Sequence, residues 1–188
     1  MSNIIILDLE ATCWEDTAQI DRHTQSEIIE IGAVKLNDTF EVIDEFQIFV
    51  KPTQHPILSE YCTKLTSIVQ ENVQSAPEFL MAMTQFEQWC GENPLFMSWG
   101  DYDRNQVTKE CERKHYKGQM VKLILNHMNV KWKISRLENL SIHHGLGFGK
   151  ALKRFDMTFE GTQHRGIDDA KNIARVVKRF KDKILIAG

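Results

Sequence analysis

The sequence has few cysteines, no long apolar run, and little positive charge in its first half. Its four cysteines (Cys13, Cys62, Cys90 and Cys111) are scattered over 188 residues without a C-x-x-C pair. That excludes a disulfide-dense scaffold and argues against a thiolate zinc site, so they read as reduced thiols of a cytoplasmic protein. The apolar run Ile4–Leu7 stops at Asp8, with no basic residue before it and no small-residue cleavage site after it. It reads as a buried strand, neither a signal peptide nor a membrane span. No repeat, low-complexity tract or Gly/Ser linker interrupts the chain, and residues 1–188 are expected to form a single domain.

The net charge of −3 conceals an asymmetry. Residues 1–103 hold 4 lysines and arginines against 18 acids, whereas residues 104–154 hold 12 against 3. Carboxylates that gather cations, beside a separate surface that meets phosphates, would produce this division. Lys114, Lys117, Lys150, Lys153 and Arg154 are the candidates for that surface. The solvated side of ordinary helices would give the same count.

Three strands are expected at Ile4–Leu9, Glu27–Leu36 and Phe40–Val50, with Asn37-Asp38 as a hairpin turn. Ser75-Ala76-Pro77-Glu78 reads as a capping box for a helix carrying Phe79, Ala82, Met83, Phe86 and Cys90 on one face. A fourth strand at Leu95–Trp99 leads to a helix from about Asp103, with Val107 and Cys111 inward and Lys109, Arg113 and Lys114 outward. Asn129–Trp132 reads as a short fifth strand and Leu137–His144 as a helix closed by Gly145. A last helix carries Ala170, Ile173, Ala174, Val177 and Phe180 inward, with Asp168 or Asp169 at its N-terminus. This order predicts an α/β fold with an antiparallel pair at the start of a mixed sheet.

Three clusters carry the chemistry. Asp8 and Glu10 are two apart on a strand and so share a face. Two buried carboxylates side by side are costly unless a cation lies between them, and hard oxygen ligands suit Mg²⁺ or Mn²⁺. Asp101 and Asp103 sit where the fourth strand meets its helix, the end of the sheet at which ligands gather. His164 lies in a Gly-bounded loop five residues before Asp169, where an imidazole could deprotonate a water. Each feature alone has an ordinary reading as a strand end, a helix cap or a loop histidine. His143-His144 could bind metal, but a helix-end pair with no nearby third ligand usually does not.

Together, D-x-E, a later aspartate and H-x-x-x-x-D form the DEDDh pattern, and the chain resembles the DnaQ-like 3′→5′ exonucleases. Asp8-Leu9-Glu10-Ala11-Thr12-Cys13, Glu30-Ile31-Gly32-Ala33-Val34, Leu65-Thr66-Ser67-Ile68 and the run His164 to Ala174 resemble the branch that includes the three-prime histone-mRNA exonuclease and bacterial KapD-like proteins. The resemblance implies an RNase H-like fold, a five-stranded mixed sheet flanked by helices, and two-metal phosphodiester hydrolysis with Mg²⁺ or Mn²⁺. It makes Asp8, Glu10, Asp103 and Asp169 the metal ligands and His164 the general base. Alignment from Trp99 favours Asp103 over Asp101. The resemblance also implies that Ala11, Thr12, Cys13 and His164 meet the terminal nucleotide. The substrate it implies is a single-stranded 3′ end, of RNA in preference to DNA, with nucleoside 5′-monophosphates as product. A DNA-trimming exonuclease and a catalytically silent nucleic-acid-binding regulator are the alternatives.

Overall fold

The computed structural model describes residues 3–15, 25–140 and 146–186. Its strands are β1 (Ile4–Ala11), β2 (Ile28–Leu36), β3 (Val42–Phe49), β4 (Leu95–Ser98) and β5 (His127–Asn129). Helices α1 (Glu60–Thr66), α2 (Gln70–Gln74) and α3 (Phe79–Cys90) lie between β3 and β4. Helices α4 (Tyr102–Arg113) and α5 (Met120–Leu123) precede β5, and α6 (Val130–Leu137), α7 (Phe148–Arg154), α8 (Gly166–Arg179) and α9 (Lys181–Ile184) follow it. The five strands form one sheet in the order β3-β2-β1-β4-β5. β2 is antiparallel to both β1 and β3, whereas β4 runs parallel to β1 and β5 to β4. The mixed five-stranded sheet flanked by helices is the one expected.

Alternation along β1 divides the core. Ile5, Leu7 and Leu9 pack on one face with Phe79, Phe86 and Val107 from α3 and α4. Ile4 and Ile6 pack on the other, beneath Ile173, Ala174 and Val177 of α8. Asp8 and Glu10 continue this second face. The strand that builds the core therefore delivers both carboxylates under the start of α8.

A glycine contact sets how closely α8 approaches. A Cβ on Gly32 would lie 2.0 Å from the carbonyl carbon of Gly166 and 2.1 Å from the nitrogen of Ile167. One on Gly166 would lie 2.8 Å from the Asp8 carbonyl oxygen. Both clashes involve backbone, so no side-chain rearrangement relieves them. Gly32→Ala should destabilise the fold by about 1–3 kcal/mol through overpacking and lift Asp169 away from β1. A denaturant unfolding midpoint unchanged from wild type would contradict this.

Several local expectations need correction. Ser75 does not cap α3: it ends α2, and the cap residue of α3 is Glu78, without a side-chain bond. The reason is tertiary, since Lys51 N–H donates to the Pro77 carbonyl at 2.9 Å and Lys51 bridges Glu78, which holds this stretch extended. Phe40 belongs to the turn, with φ of 61°, and β3 starts at Val42. Asn37 organises that turn by accepting from the N–H groups of Thr39 and Glu41. The fifth strand ends at Asn129, whose side chain accepts from Trp132 N–H at 3.0 Å and starts α6. The helix expected at Leu137–His144 is thus displaced upstream, and His143-His144 lies outside the described residues. Among the described residues, no helix is long and apolar enough to cross a membrane.

Candidate active site

The site forms where β1 outruns its parallel neighbour. β4 pairs with β1 from Ile4 to Ile6 only, while β2 pairs along the strand to Ala11. Beyond Ile6 the β4 side of β1 is left without a ladder partner, and its backbone donors need other acceptors. Asp103, in the first turn of α4, accepts from Leu9 N–H at 3.0 Å. It is 5% exposed. Asp101 lies elsewhere: its side chain is 38% exposed, 3.3 Å from Arg104, and accepts from Asn129 Nδ2 at 2.8 Å. Of the two aspartates at this junction, Asp103 reaches β1.

From the other side, α8 brings Asp169 over the same strand. One oxygen each from Asp8, Glu10 and Asp169 lie within 4.8 Å of one another. The preceding loop passes beside Asp169, whose N–H donates to the Arg165 carbonyl at 2.9 Å in the first turn of α8. His164 has a left-handed backbone, with φ of 58°, and its side chain is exposed to solvent. Asp168, the neighbouring candidate, instead accepts Thr162 N–H at 2.8 Å and fastens the loop.

The electrostatics follow from this crowding. Burial, then Asp103, Asp169 and Glu10, push Asp8 well above the usual carboxylate range. Glu10 is pushed up to about 8 by burial and by Asp169, Glu30 and Asp103. Burial raises Asp103 and Asp169 to about 6 each, against the opposing pull of nearby N–H groups. Among the described residues, Asp169 Oδ2 is buried without any hydrogen-bond partner. Like-charged, desolvated oxygens with an unpaired acceptor are a donor set suited to hard divalent cations.

A consequence for stability can be measured. A carboxyl whose folded pKa is raised stabilises the fold below its unfolded pKa and loses that contribution as pH rises through the folded value. For Glu10 the window runs from 4.5 to about 8. The metal-stripped protein should therefore melt at lower temperature at pH 8 than at pH 5, and saturating Mn²⁺ should remove the difference. Glu10→Gln should raise the melting temperature of the stripped protein at pH 8 by several degrees, because about 1 kcal/mol moves a domain of this size by ~2–4 °C. A flat Tm between pH 5 and 8 without metal would refute the electrostatic account.

The residues after β1 are held by their own contacts. Ala11 is buried, and Thr12 exchanges two hydrogen bonds with Glu27, its N–H to the carbonyl at 2.8 Å and its hydroxyl accepting at 2.9 Å. Cys13 packs beside Cys62, and its carbonyl accepts from the Ser59 hydroxyl at 2.6 Å. Trp14 stands edge-on to His55, with ring centroids 4.9 Å apart.

Two residues that the sequence alone did not single out hold the histidine loop. Glu30 faces Glu10 across β1 and β2 and is fully buried. Its carboxylate accepts from Arg165 Nε at 3.1 Å, Gly166 N–H at 3.2 Å and Gln47 at 2.6 Å. Arg165 thereby ties the loop to β2 immediately beside His164. A glutamate in a largely apolar strand was the visible sign, though its partner was not.

The basic segment is less free than its count suggests. Lys114, expected outward, is 2.9 Å from Glu27, and the two side chains are 18% and 1% exposed. Burial would raise Glu27, but Lys114 and the N–H groups of Thr53, His55 and Gln54 hold it down to about 2. Arg154 lies 3.8 Å from Glu138, while Lys117, Lys150 and Lys153 are exposed.

Known nucleases resemble this chain. The exonuclease family model (RNase T) matches residues 5–177. The nuclease domain of 3′hExo, described as a DEDDh family member and solved with rAMP, is 27% identical with a TM-score of 0.87, over 97% of this chain and 94% of that one. The chain belongs to the DEDDh exonuclease family. Another match is the 3′-5′ exonuclease Snipper of Drosophila melanogaster, 32% identical over 99% of this chain and 72% of that protein. ERI1 exoribonuclease 2 of Mus musculus is 32% identical over 97% of this chain but only 29% of its own length. The chain thus spans about three-tenths of the ERI1 exoribonuclease 2 proteins it matches. A 3′-exonuclease solved in recognition of the histone mRNA stem-loop is 25% identical, with a TM-score of 0.82, over 97% of this chain and 83% of that one.

Proposed function

We propose that this DEDDh protein is a metal-dependent 3′→5′ exonuclease that shortens single-stranded 3′ ends, RNA in preference to DNA, and releases nucleoside 5′-monophosphates. The observation that carries the reading is the meeting of Asp8, Glu10 and Asp169 oxygens within 4.8 Å, with Asp103 bonded to the strand between the first two. The four carboxylates would hold two cations, Mg²⁺ or Mn²⁺. Bound there, such a pair supplies charge to neutralise the scissile phosphate and the leaving 3′-oxygen. His164 takes the proton of the attacking water, and its position in an exposed loop beside Asp169 lets it reach solvent and substrate. Ala11, Thr12 and Cys13 seat the terminal nucleotide, with Glu10 beside its 3′-hydroxyl. RNA is favoured because several relatives carry the name exoribonuclease and two solved neighbours hold rAMP or recognise an mRNA stem-loop. A silent binding module would have no use for so costly a carboxylate cluster.

The test uses 5′-labelled single-stranded RNA and DNA of one sequence, with Mg²⁺, Mn²⁺ or EDTA. The expected result is a descending ladder, faster on RNA, that EDTA abolishes. Cleavage of a circular single strand at a comparable rate would remove the exonuclease reading, and faster trimming of DNA would reverse the substrate preference.

A further inference from the structure

The carboxylate that anchors the histidine loop stands in the same row of the sheet as Glu10, a proposed metal ligand. Glu10, Glu30 and Phe49 lie opposite one another across β1, β2 and β3. Their side chains therefore share one face, with neighbouring Cβ atoms about 5 Å apart. Arg165, the residue before α8, reaches this row from above. Its Nε donates to Glu30 Oε2 at 3.1 Å and its Nη2 to Oε1 at 3.3 Å, while the guanidinium lies 5.2 Å from the centre of the Phe49 ring. Gly166 N–H adds a donor to Oε2 at 3.2 Å and Gln47 Nε2 one to Oε1 at 2.6 Å. Four donors, two on each oxygen, thus converge on one fully buried carboxylate.

The residue next to this anchor is His164, whose backbone is left-handed, with φ of 58°. A non-glycine residue keeps that conformation only where its surroundings over-determine it. The surroundings here are two fixed points. Before His164, Thr162 N–H is held by the Asp168 carboxylate at 2.8 Å. After it, Arg165 is extended, with φ of −116° and ψ of 116°, and its side chain is turned down onto β2. The imidazole itself is exposed and gains little from packing, so its direction follows from the backbone between these points. A planar guanidinium that grips both oxygens of a buried carboxylate fixes orientation as well as distance.

We infer that Arg165, through Glu30, is a positioning residue that locks the turn at His164 against the strand row carrying Glu10 and so aims the imidazole at the attacking water. The inference rests on the reading of His164 as the general base. A base displaced by a fraction of its reach loses rate without losing substrate, since binding does not depend on it. Spacing along the chain does not reveal this link, because Arg165 and Glu30 are 135 residues apart.

Single-turnover trimming of a labelled RNA at saturating Mn²⁺, over a range of enzyme concentrations, separates the maximal rate from half-saturation. The full chain is compared as wild type, Arg165→Met, His164→Asn and the double variant His164→Asn/Arg165→Met. Methionine keeps an unbranched apolar stem beside Phe49 and removes the fork. Arg165→Met should lower the maximal rate about 10–100-fold, with half-saturation within about twofold of wild type. In the His164→Asn background the same change should cost less than about twofold, because the group it positions is gone. An equal factor in both backgrounds would overturn the inference and make Arg165 a support of the fold or of Asp169. A loss confined to half-saturation, or no loss in the wild-type background, would overturn it as well. If His164→Asn itself trims at the wild-type rate, the general-base reading fails and this inference with it. Should Arg165→Met not fold, because it leaves Glu30 as an unpaired buried charge, Arg165→Met/Glu30→Gln replaces it in both backgrounds. The neutral amide there needs no cation, and the same ratios decide.

Discussion

Asp103→Asn should reduce turnover by about 10²-fold or more, a loss of about 2.7 kcal/mol in transition-state stabilisation, while Asp101→Asn stays within about fivefold of wild type. The contrast comes from what the two side chains touch. Asp103 is buried at the open edge of β1, and asparagine there removes one anionic oxygen from the cluster that must balance divalent charge. Asp101 is held by Arg104 and Asn129 on a partly exposed rim, and asparagine keeps an acceptor for the Asn129 amide. Single-turnover rates on a short labelled RNA at saturating Mn²⁺ would measure both. Equal losses, or the reverse ranking, would move the ligand to Asp101.

The second large effect is expected at His164. His164→Asn should slow turnover by about 10²–10⁴-fold, the usual range for a positioned acid–base group. Metal-dependent binding of the strand should survive, because Asp8, Glu10, Asp103 and Asp169 all remain. The loop has its own anchors, Arg165 on Glu30 and Thr162 N–H on Asp168, so exchanging the exposed imidazole should not collapse it. Activity within about threefold of wild type would reduce His164 to a packing role.

Much of this molecule was legible in its residues. The apolar run that stops at Asp8 marked β1, because a strand buried on both faces needs nearly continuous hydrophobicity. The two-residue spacing of Asp8 and Glu10 put both carboxylates on one face before any fold was known. The α8 stripe followed from helical periodicity, and the D-x-E and H-x-x-x-x-D motifs carried the family resemblance. These features depend on local backbone geometry, which spacing along the chain records.

Tertiary structure decided the rest, where the determining partner is distant in sequence. Asp101 and Asp103 look alike at a strand–helix junction; which one reaches β1 depends on β4 ending its pairing at Ile6 and exposing Leu9 N–H. Lys114 looked like a surface cation until the start of β2 brought Glu27 against it. Ser75 looked like a helix cap until Lys51 drew Pro77 and Glu78 into an extended bridge. The closeness of Asp169 to Asp8 needs two glycines, Gly32 and Gly166, that lie far apart in the chain and meet backbone to backbone. In each case a side chain has several local uses of similar free energy, and a long-range contact selects among them.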